Sequence, residues 1–184
     1  MRTSKREMIL DAALGVVGAH GVTAVTFESV AAASGLTKGG LLYHFASKDA
    51  MVLALHEHQA KLWEAQLIEA LGRQPEEATE DERLAAYARV SAAGISGPEL
   101  LLMLEASNDE ALNRPWQDVV RRWTPDPRSI NPNDPAALEK MAMLLAADGL
   151  WLHASTGADP MPTALREALA QHLSNSVRAL NATP

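Results

Sequence analysis

Residues 26–48 read TFESVAAASGLTKGGLLYHFASK, and this stretch decides the fold. Thr26 is suited to cap a first short helix, and Ser34-Gly35-Leu36-Thr37 has the chemistry of a tight turn after it. Glycine readily takes the left-handed conformation that ends a helix, and Thr37 can cap the next one. The pattern predicts a helix-turn-helix whose second helix, about Lys38 to His44, presents its first residues to the DNA major groove.

The second helix of this pair is too short to be stable without packing, because isolated helices of a few residues hardly form in water. We expect Leu41, Leu42 and Phe45 to fasten it to its neighbours. Tyr43 and His44 would then face outward.

The remainder of the chain is predicted to be helical as well. Apolar residues make up 47% of the 184 residues and aromatic residues only 4%, and Ala and Leu recur at spacings of three and four. Residues 4–20 predict an amphipathic helix that covers the helix pair, and Gly21 would stop it. The expected fold is all-α, with a three-helix head over residues 1–47 and a helical ligand-binding and dimerisation domain over residues 48–184.

The head resembles the DNA-binding signature of the tetracycline-repressor (TetR) family of bacterial regulators. The resemblance covers residues 1–55 and is carried by Phe27, Val30-Ala31, Ser34-Gly35-Leu36-Thr37, Gly39, Leu42-Tyr43-His44-Phe45 and Ser47-Lys48. It implies an all-helical homodimer with a variable C-terminal ligand-binding domain. Such a repressor would hold an inverted-repeat operator in double-stranded DNA until a small lipophilic effector releases it. LLLMLEASNDEALNRPW and LLAADGLWLH, at residues 100–116 and 144–153, resemble members that sense multiple drugs.

The candidate DNA-binding residues are cations, hydroxyl or imidazole donors, and one glycine of the head. They are Thr26, Thr37, Lys38, Gly39, Tyr43, His44 and Lys48. Gly39-Gly40 costs about 1 kcal/mol of helix propensity per glycine and leaves no side chain for contact with bases. Base readout is therefore expected from Lys38, Thr37 and Tyr43, with DNA shape contributing. The alternative for Tyr43 is packing within the head.

Charge is distributed unevenly along the chain. The formal net charge is −7, yet residues 1–48 carry five basic and three acidic residues, while the rest carries eleven basic and twenty acidic ones. A basic head on an acidic body favours a polyanion at the head. Chance clustering is the alternative.

Ser47 can cap a long helix from Lys48 to about Leu71, roughly 36 Å at about 1.5 Å per residue. This helix would either transmit a ligand-induced movement to the head or act as a rigid strut. Further helices are predicted over residues 79–93, 98–106, 109–123, 135–153 and 163–180. The run 100–104 is apolar on all sides and is expected to be buried.

The last two predicted helices are the candidates for dimerisation. A stripe of apolar residues follows the final helix: Leu165, Leu169, Leu173, Val177 and Leu180. Paired across a two-fold axis, the two helices would form a four-helix interface. The alternative for this stripe is the core of a monomer.

All four tryptophans lie in the body, and they suggest an effector pocket there. The candidate ligand-binding residues are Trp63, Met103, Glu105, Trp116, Trp123, Met143, Asp148 and Trp151. Aromatic rings with the carboxylates Glu105 and Asp148 suit an aromatic effector, a cationic one included. A buried carboxylate needs a partner, so Arg89, Arg121 or a helix N-terminus could instead satisfy both groups internally.

Catalysis has little support in the sequence. His56-Glu57-His58 lacks the HExxH spacing, its histidines are expected to be exposed, and residues two apart lie on different helix faces. With no cysteine and no phosphate-binding loop, we expect no catalytic residue, metal or cofactor. No apolar run reaches the ~20 residues of a membrane span, which favours the cytoplasm. The rival to a DNA-binding repressor is a helical small-molecule-binding protein without sequence-specific DNA binding.

Overall fold

The computed structural model describes residues 4–156 and 161–180, and these form α-helices, short 3₁₀ turns and loops with no strand. The helices are α1 Lys5–His20, α2 Phe27–Ser34, α3 Lys38–His44, α4 Lys48–Leu71, α5 Glu80–Val90, α6 Gly97–Ala106, α7 Glu110–Trp123, α8 Pro135–Thr156 and α9 Thr163–Leu180. The prediction of an all-helical chain is confirmed. The predicted break before α9 falls largely on residues 157–160, outside the described residues.

The chain divides into two compact units. The first comprises the residues up to Leu62 together with Ser96–Gln117, and the second comprises Trp63–Ile95 and the residues from Asp118 onward. The first unit therefore takes in α6 as well as α1 to α3. The predicted boundary between residues 47 and 48 stays a prediction about where DNA-binding and ligand-binding roles divide.

The first unit is built around α1, whose apolar face is largely buried. Ser4 caps α1 in a reciprocal arrangement with Glu7, and Ile9, Leu10 and Val17 have no exposed surface. These residues form one core with Val30 of α2 and other residues of the helix-turn-helix. Burying a side chain of this size contributes about 1.5–3 kcal/mol, so α1 supplies the surface on which the short helices are held.

The turn between α2 and α3 has the predicted conformation. Gly35 sits at φ 69°, in the left-handed region, and Thr37 accepts a hydrogen bond from the backbone N–H of Gly40 at 3.1 Å. Leu41 is fully buried and Phe45 nearly so, as expected, but Leu42 is 46% exposed. A seven-residue helix has one narrow buried face, which Leu41 occupies, and Leu42 lies about 100° around from it. The prediction that Leu42 fastens α3 was wrong.

The second unit packs α5, α8 and α9 together. Its core contains Leu84 and Ala85 of α5, Met143 and Leu144 of α8, and Val177 of α9. Thr79 and Glu82 form the predicted capping box of α5, so the helix begins where the sequence indicated.

Two predictions about apolar runs need correction. In α6 only Leu102 of the leucine run is fully buried, while Leu101 and Leu104 are 45% and 58% exposed. The cause is that α6 packs one face against α1. On α9 the predicted stripe is divided, since Val177 belongs to the core of the second unit whereas Leu165 and Leu169 are exposed.

Candidate DNA-binding surface and effector site

The candidate DNA-binding residues occur at the ends of α2, α3 and α4. Thr37, Lys38, Gly39, Tyr43 and Lys48 are exposed, and Tyr43 has 87% of its surface accessible. Such exposure of a tyrosine excludes packing within the head as its role in this structure. The Tyr43 and His44 rings meet edge to face with centroids 5.1 Å apart, which fixes their relative orientation at the end of α3.

The two threonines have different hydrogen-bonding situations. Thr37 Oγ1 accepts the capping bond from Gly40, which leaves its hydroxyl proton free to be donated to a phosphate. Thr26 is half-buried, accepts from the backbone N–H of Ser29 at 3.1 Å and lies 3.1 Å from the Ser29 hydroxyl. Its hydroxyl thus already serves the start of α2. A DNA contact by Thr26 stays a prediction.

Lys38, the first residue of α3, forms an ion pair with a carboxylate of α2. Its Nζ lies 2.6 Å from Oε1 of Glu28, on the first turn of α2, and this bond holds the pKa of the Glu28 carboxyl below its usual range. Glu28 was missed by the sequence reasoning, because its partner is ten residues away across the turn. The signal was the spacing itself, since both residues open the two helices of the motif.

The candidate effector residues fall into both compact units. Met103, Glu105 and Trp116 belong to the first unit; Trp63, Trp123, Met143, Asp148 and Trp151 belong to the second. The eight candidates therefore do not all belong to one unit.

In the second unit, Trp63, Tyr87 and Asp148 are joined by direct contacts. The Tyr87 hydroxyl donates to Oδ1 of Asp148 at 2.7 Å, and the rings of Tyr87 and Trp63 meet edge to face with centroids 5.9 Å apart. Burial and the neighbouring carboxylate raise the pKa of Tyr87, so it stays a donor at neutral pH. Burial likewise raises the pKa of Asp148, although the bond from Tyr87 opposes that rise. Tyr87 was missed because nothing in its local sequence marks it.

The other three candidates of the second unit, Trp123, Met143 and Trp151, are buried or half-buried. Trp123 is fully buried, and its indole N–H donates to Glu64 at 3.1 Å, on the oxygen that also pairs with Arg122. Met143 is buried in the core, and Trp151 is half-buried. These contacts give Trp123 and Met143 a packing role in the second unit.

In the first unit, Trp116 is buried and its indole N–H donates to Nδ1 of His56 at 3.1 Å. His56 is fully buried and His58 is half-buried, so the expectation of exposed histidines was wrong for both. Neither the sequence neighbours of His56 nor the helical period reveal that α7 supplies a donor sixty residues away. Met103 is half-buried.

Glu105 and Asp148 differ in how their charge is satisfied. Asp148 receives the Tyr87 hydrogen bond, which is an internal partner that sequence reasoning did not name. Glu105 has a buried Oε2 with no hydrogen-bond partner among the described residues. Arg89, one of the expected partners, instead donates to Ser174 and to the backbone carbonyl of Ala70.

Neither a metal site nor a membrane-spanning helix occurs in the described part of the chain. Over residues 4–156 and 161–180, no group of three or more His, Asp or Glu side chains is arranged to hold a metal ion. No helix within those ranges combines the length and apolarity needed to cross a membrane.

The geometry defines a helix-turn-helix protein with a helical C-terminal part. Residues 9–55 match the family model of bacterial regulatory proteins of the tetR family, and residues 81–178 match the model of the tetracyclin repressor-like C-terminal domain. The chain belongs to the TetR family of transcriptional regulators, whose members bind DNA and small-molecule effectors.

Similar proteins cover nearly the whole chain. The HTH-type transcriptional regulator BetI of Paraburkholderia phytofirmans is 29% identical, over 91% of each protein. A transcriptional regulator from Saccharomonospora viridis, solved in complex with choline, has a TM-score of 0.64 at 19% identity and covers 94% of this chain and 95% of its own. The multidrug-binding protein EbrR, complexed with imidazole, has a TM-score of 0.55 at 20% identity and covers 94% and 96%. At these identities the structures support the fold alone.

Proposed function

We propose that this chain is a repressor that binds an inverted-repeat operator as a homodimer and is released by a small cationic, lipophilic effector. The observation that carries the proposal is the exposure of Thr37 and Lys38 at the start of α3 and of Tyr43 near its end, on a helix that Leu41 anchors in the core. A helix held in this way can enter the major groove without rearrangement. Exposed Lys48 at the start of α4 adds a cation for the DNA backbone.

A homodimer is supported by unpaired leucines on two packed helices of the second unit. Leu138, Leu145 and Leu152 of α8 are 46–64% exposed at seven-residue spacing, which places them on one face. Leu165 and Leu169 of α9, which packs against α8, are exposed too. Several exposed leucines on adjoining helices are typical of a protein interface. A second copy of the chain would cover it and set the spacing of two heads.

The chemistry of the effector is supported by Trp63, Tyr87 and Asp148. Aromatic rings attract a cation through their electron-rich faces, and a carboxylate with raised pKa is stabilised in its charged form by a cation beside it. Quaternary ammonium compounds carry the required charge permanently, and aromatic rings recognise their alkylated ammonium group. Choline, which the Saccharomonospora viridis regulator binds, is the first compound to test.

Titration of Trp fluorescence with choline tests the effector assignment. We expect saturable quenching in the wild type and at least tenfold weaker binding by D148N, about the loss of one charged contact. E139Q, which removes an exposed carboxylate from the same helix, is the matched control and should bind as the wild type does. Equal affinities of D148N and E139Q would overturn the site. A parallel titration with a planar cationic dye and its neutral analogue separates a need for charge from a need for choline.

DNase footprinting on the DNA upstream of the chain's own gene tests DNA binding. A discrete protected inverted repeat, lost on adding the effector, is expected of a repressor. Binding of choline without any protected site would favour the rival, a helical small-molecule-binding protein without sequence-specific DNA binding.

A further inference from the structure

The ion pair between Glu28 and Lys38 stands at the front of the helix-turn-helix. Lys38 Nζ lies 2.6 Å from Glu28 Oε1, and the two side chains are 57% and 67% exposed. Lys38 is the first residue of α3 and Glu28 the second of α2, so the pair bridges the two helices of the motif. Gly39 and Gly40 follow Lys38 and carry no side chain that could reach past it.

The hydrogen-bonding capacity of this pair is only partly used. An ammonium group has three protons, and one of them faces Glu28 Oε1, which leaves two for other acceptors. A carboxylate has two oxygens, and Oε2 of Glu28 can accept from a further donor. The pair thus offers two donor protons and an acceptor side by side.

A DNA phosphate matches only half of that arrangement. Phosphate oxygens accept hydrogen bonds but have none to donate, and their charge repels a carboxylate. A lysine meant only for phosphate would be weakened by Glu28, because the ammonium charge is already compensated. The pair suits a partner that accepts and donates at adjacent positions.

The major-groove edge of a G·C base pair is such a partner. Guanine presents N7 and O6 as two acceptors, and cytosine presents the N4 amino donor next to O6, about 2.9 Å away across the base pair. This separation is close to the 2.6 Å between Lys38 Nζ and Glu28 Oε1. An A·T edge also carries two acceptors, adenine N7 and thymine O4, but they lie on opposite sides of the adenine N6 donor, so a lysine beside a carboxylate that accepts from N6 reaches only one of them.

We propose that Glu28 is a specificity-determining residue, which together with Lys38 reads one G·C base pair in each half-site of the operator. Lys38 donates to N7 and O6 of guanine, and Glu28 accepts from N4 of cytosine. The inference rests on the proposed function, since it assigns a base contact to the same DNA-binding surface. It supplies the readout that Gly39 and Gly40 cannot.

In vitro selection from a randomised duplex library tests the assignment and does not require a known operator sequence. The wild type, E28A and E28Q are compared with E57Q, which removes an exposed carboxylate of α4 and is the charge-matched control. We expect the wild type and E57Q to select the same inverted repeat with a fixed G·C pair at one symmetric position. In E28A the selectivity for G·C over other base pairs at that position should fall by about tenfold or more, which is the discrimination typical of a good base contact. The rest of the motif should persist.

E28Q gives a second, directional result. A glutamine side chain both donates and accepts, so it can bond adenine N6 and N7, and E28Q should admit A·T at the position where E28A only weakens the preference for G·C. Thermal unfolding of each variant establishes that it is folded. Because the side chains of Glu28 and Glu57 are exposed, no loss of stability is expected.

The outcomes separate failure of the inference from failure of the proposed function. An E28A motif identical to that of the wild type would overturn the inference while leaving sequence-specific binding intact. E28A binding all duplexes more tightly without a change of motif would do the same, because Glu28 would then act only by its charge. A wild type that enriches no sequence would overturn the proposed function, and the inference with it.

Discussion

Trp116 donates its indole N–H to Nδ1 of His56 at 3.1 Å, and both side chains are buried in the first compact unit. Because Nδ1 accepts, the proton of the neutral imidazole is on Nε2, which is buried without a hydrogen-bond partner among the described residues. Burial lowers the pKa of His56 to about 4, against a smaller opposing effect of the Asp109 charge. Protonating Nδ1 would remove the acceptor that Trp116 uses.

The first prediction is a loss of stability on acidification. The folded chain holds His56 neutral down to about pH 4, whereas the unfolded chain protonates it below about pH 6.5. The unfolded state therefore binds more protons in that window, and stability falls as the pH is lowered through it. The difference amounts to about 2 kcal/mol between pH 7 and pH 5. Urea unfolding at a series of pH values measures it.

H56Q should flatten this pH dependence even if it lowers stability at pH 7. H172Q, which replaces an exposed histidine of α9, is the control and should retain the slope of the wild type. Equal slopes for H56Q and the wild type would contradict the role of His56.

The second prediction concerns the hydroxyl of Tyr87. Y87F removes the donor to Asp148 and leaves a largely buried carboxylate without that bond, at a cost of about 1–3 kcal/mol. Chemical denaturation at pH 7 measures the loss. Y43F makes the same change at a tyrosine that is 87% exposed and should leave stability within about 0.5 kcal/mol. A Y87F variant as stable as Y43F would show that the bond contributes nothing.

The third prediction uses Gly39, where a Cβ would approach only Thr37 Oγ1, at 4.0 Å. Alanine fits there without strain, so G39A should raise stability by about 0.5–1 kcal/mol through helix propensity. If Gly39 lies against DNA, the added methyl should nevertheless weaken operator binding. G15A, in an equally open position on α1, should gain stability without losing affinity. Thermal melts measure the stability of both variants, and gel shifts measure their operator affinity. Unchanged DNA affinity of G39A would show that Gly39 does not contact DNA.

Local signals account for the part of the fold that sequence predicted well. Gly35 and Thr37 define their turn through backbone conformation and capping, both of which act within a few residues. The burial of His56 and the exposure of Leu104 could not be read in this way. Both depend on which face of a helix meets another helix, and an apolar run such as 100–104 leaves that choice open.

The same distinction between local signals and contacts between distant residues applies to the candidate sites. The exposure of Lys38 and Tyr43 on α3 was predictable because the motif determines the orientation of that helix, whereas the exposure of Leu42 was not. Tyr87 and Glu28 were missed because their importance lies in partners sixty-one and ten residues away. Nothing in the local sequence marks Tyr87, and Glu28 is marked only by its place in the first turn of α2.

The fourth prediction concerns the salt dependence of DNA binding. Each phosphate neutralised by a lysine contributes about −0.9 to the slope of log affinity against log salt concentration. K48A should therefore reduce the slope by about 1 per protomer and weaken binding to all DNA sequences to a similar degree. K61A, which removes an exposed lysine farther along the same helix, is the matched control. Filter binding over a salt series measures both, and a K48A slope equal to that of K61A would exclude a phosphate contact by Lys48.

The fifth prediction tests the dimer through Leu145, which is 64% exposed at the middle of the leucine row of α8. In a dimer that covers this row, L145E would bury an unpaired charge at the interface, and such a charge costs several kcal/mol. The variant should sediment as a monomer at micromolar concentration, where the wild type sediments as a dimer. L104E is the matched control, because Leu104 is comparably exposed at 58% but lies on α6. Since two linked heads bind an inverted repeat far more tightly than one, L145E should also lose operator affinity, whereas L104E should not. A monomeric wild type would refute the homodimer, and a dimeric L145E would move the interface away from the leucine row of α8.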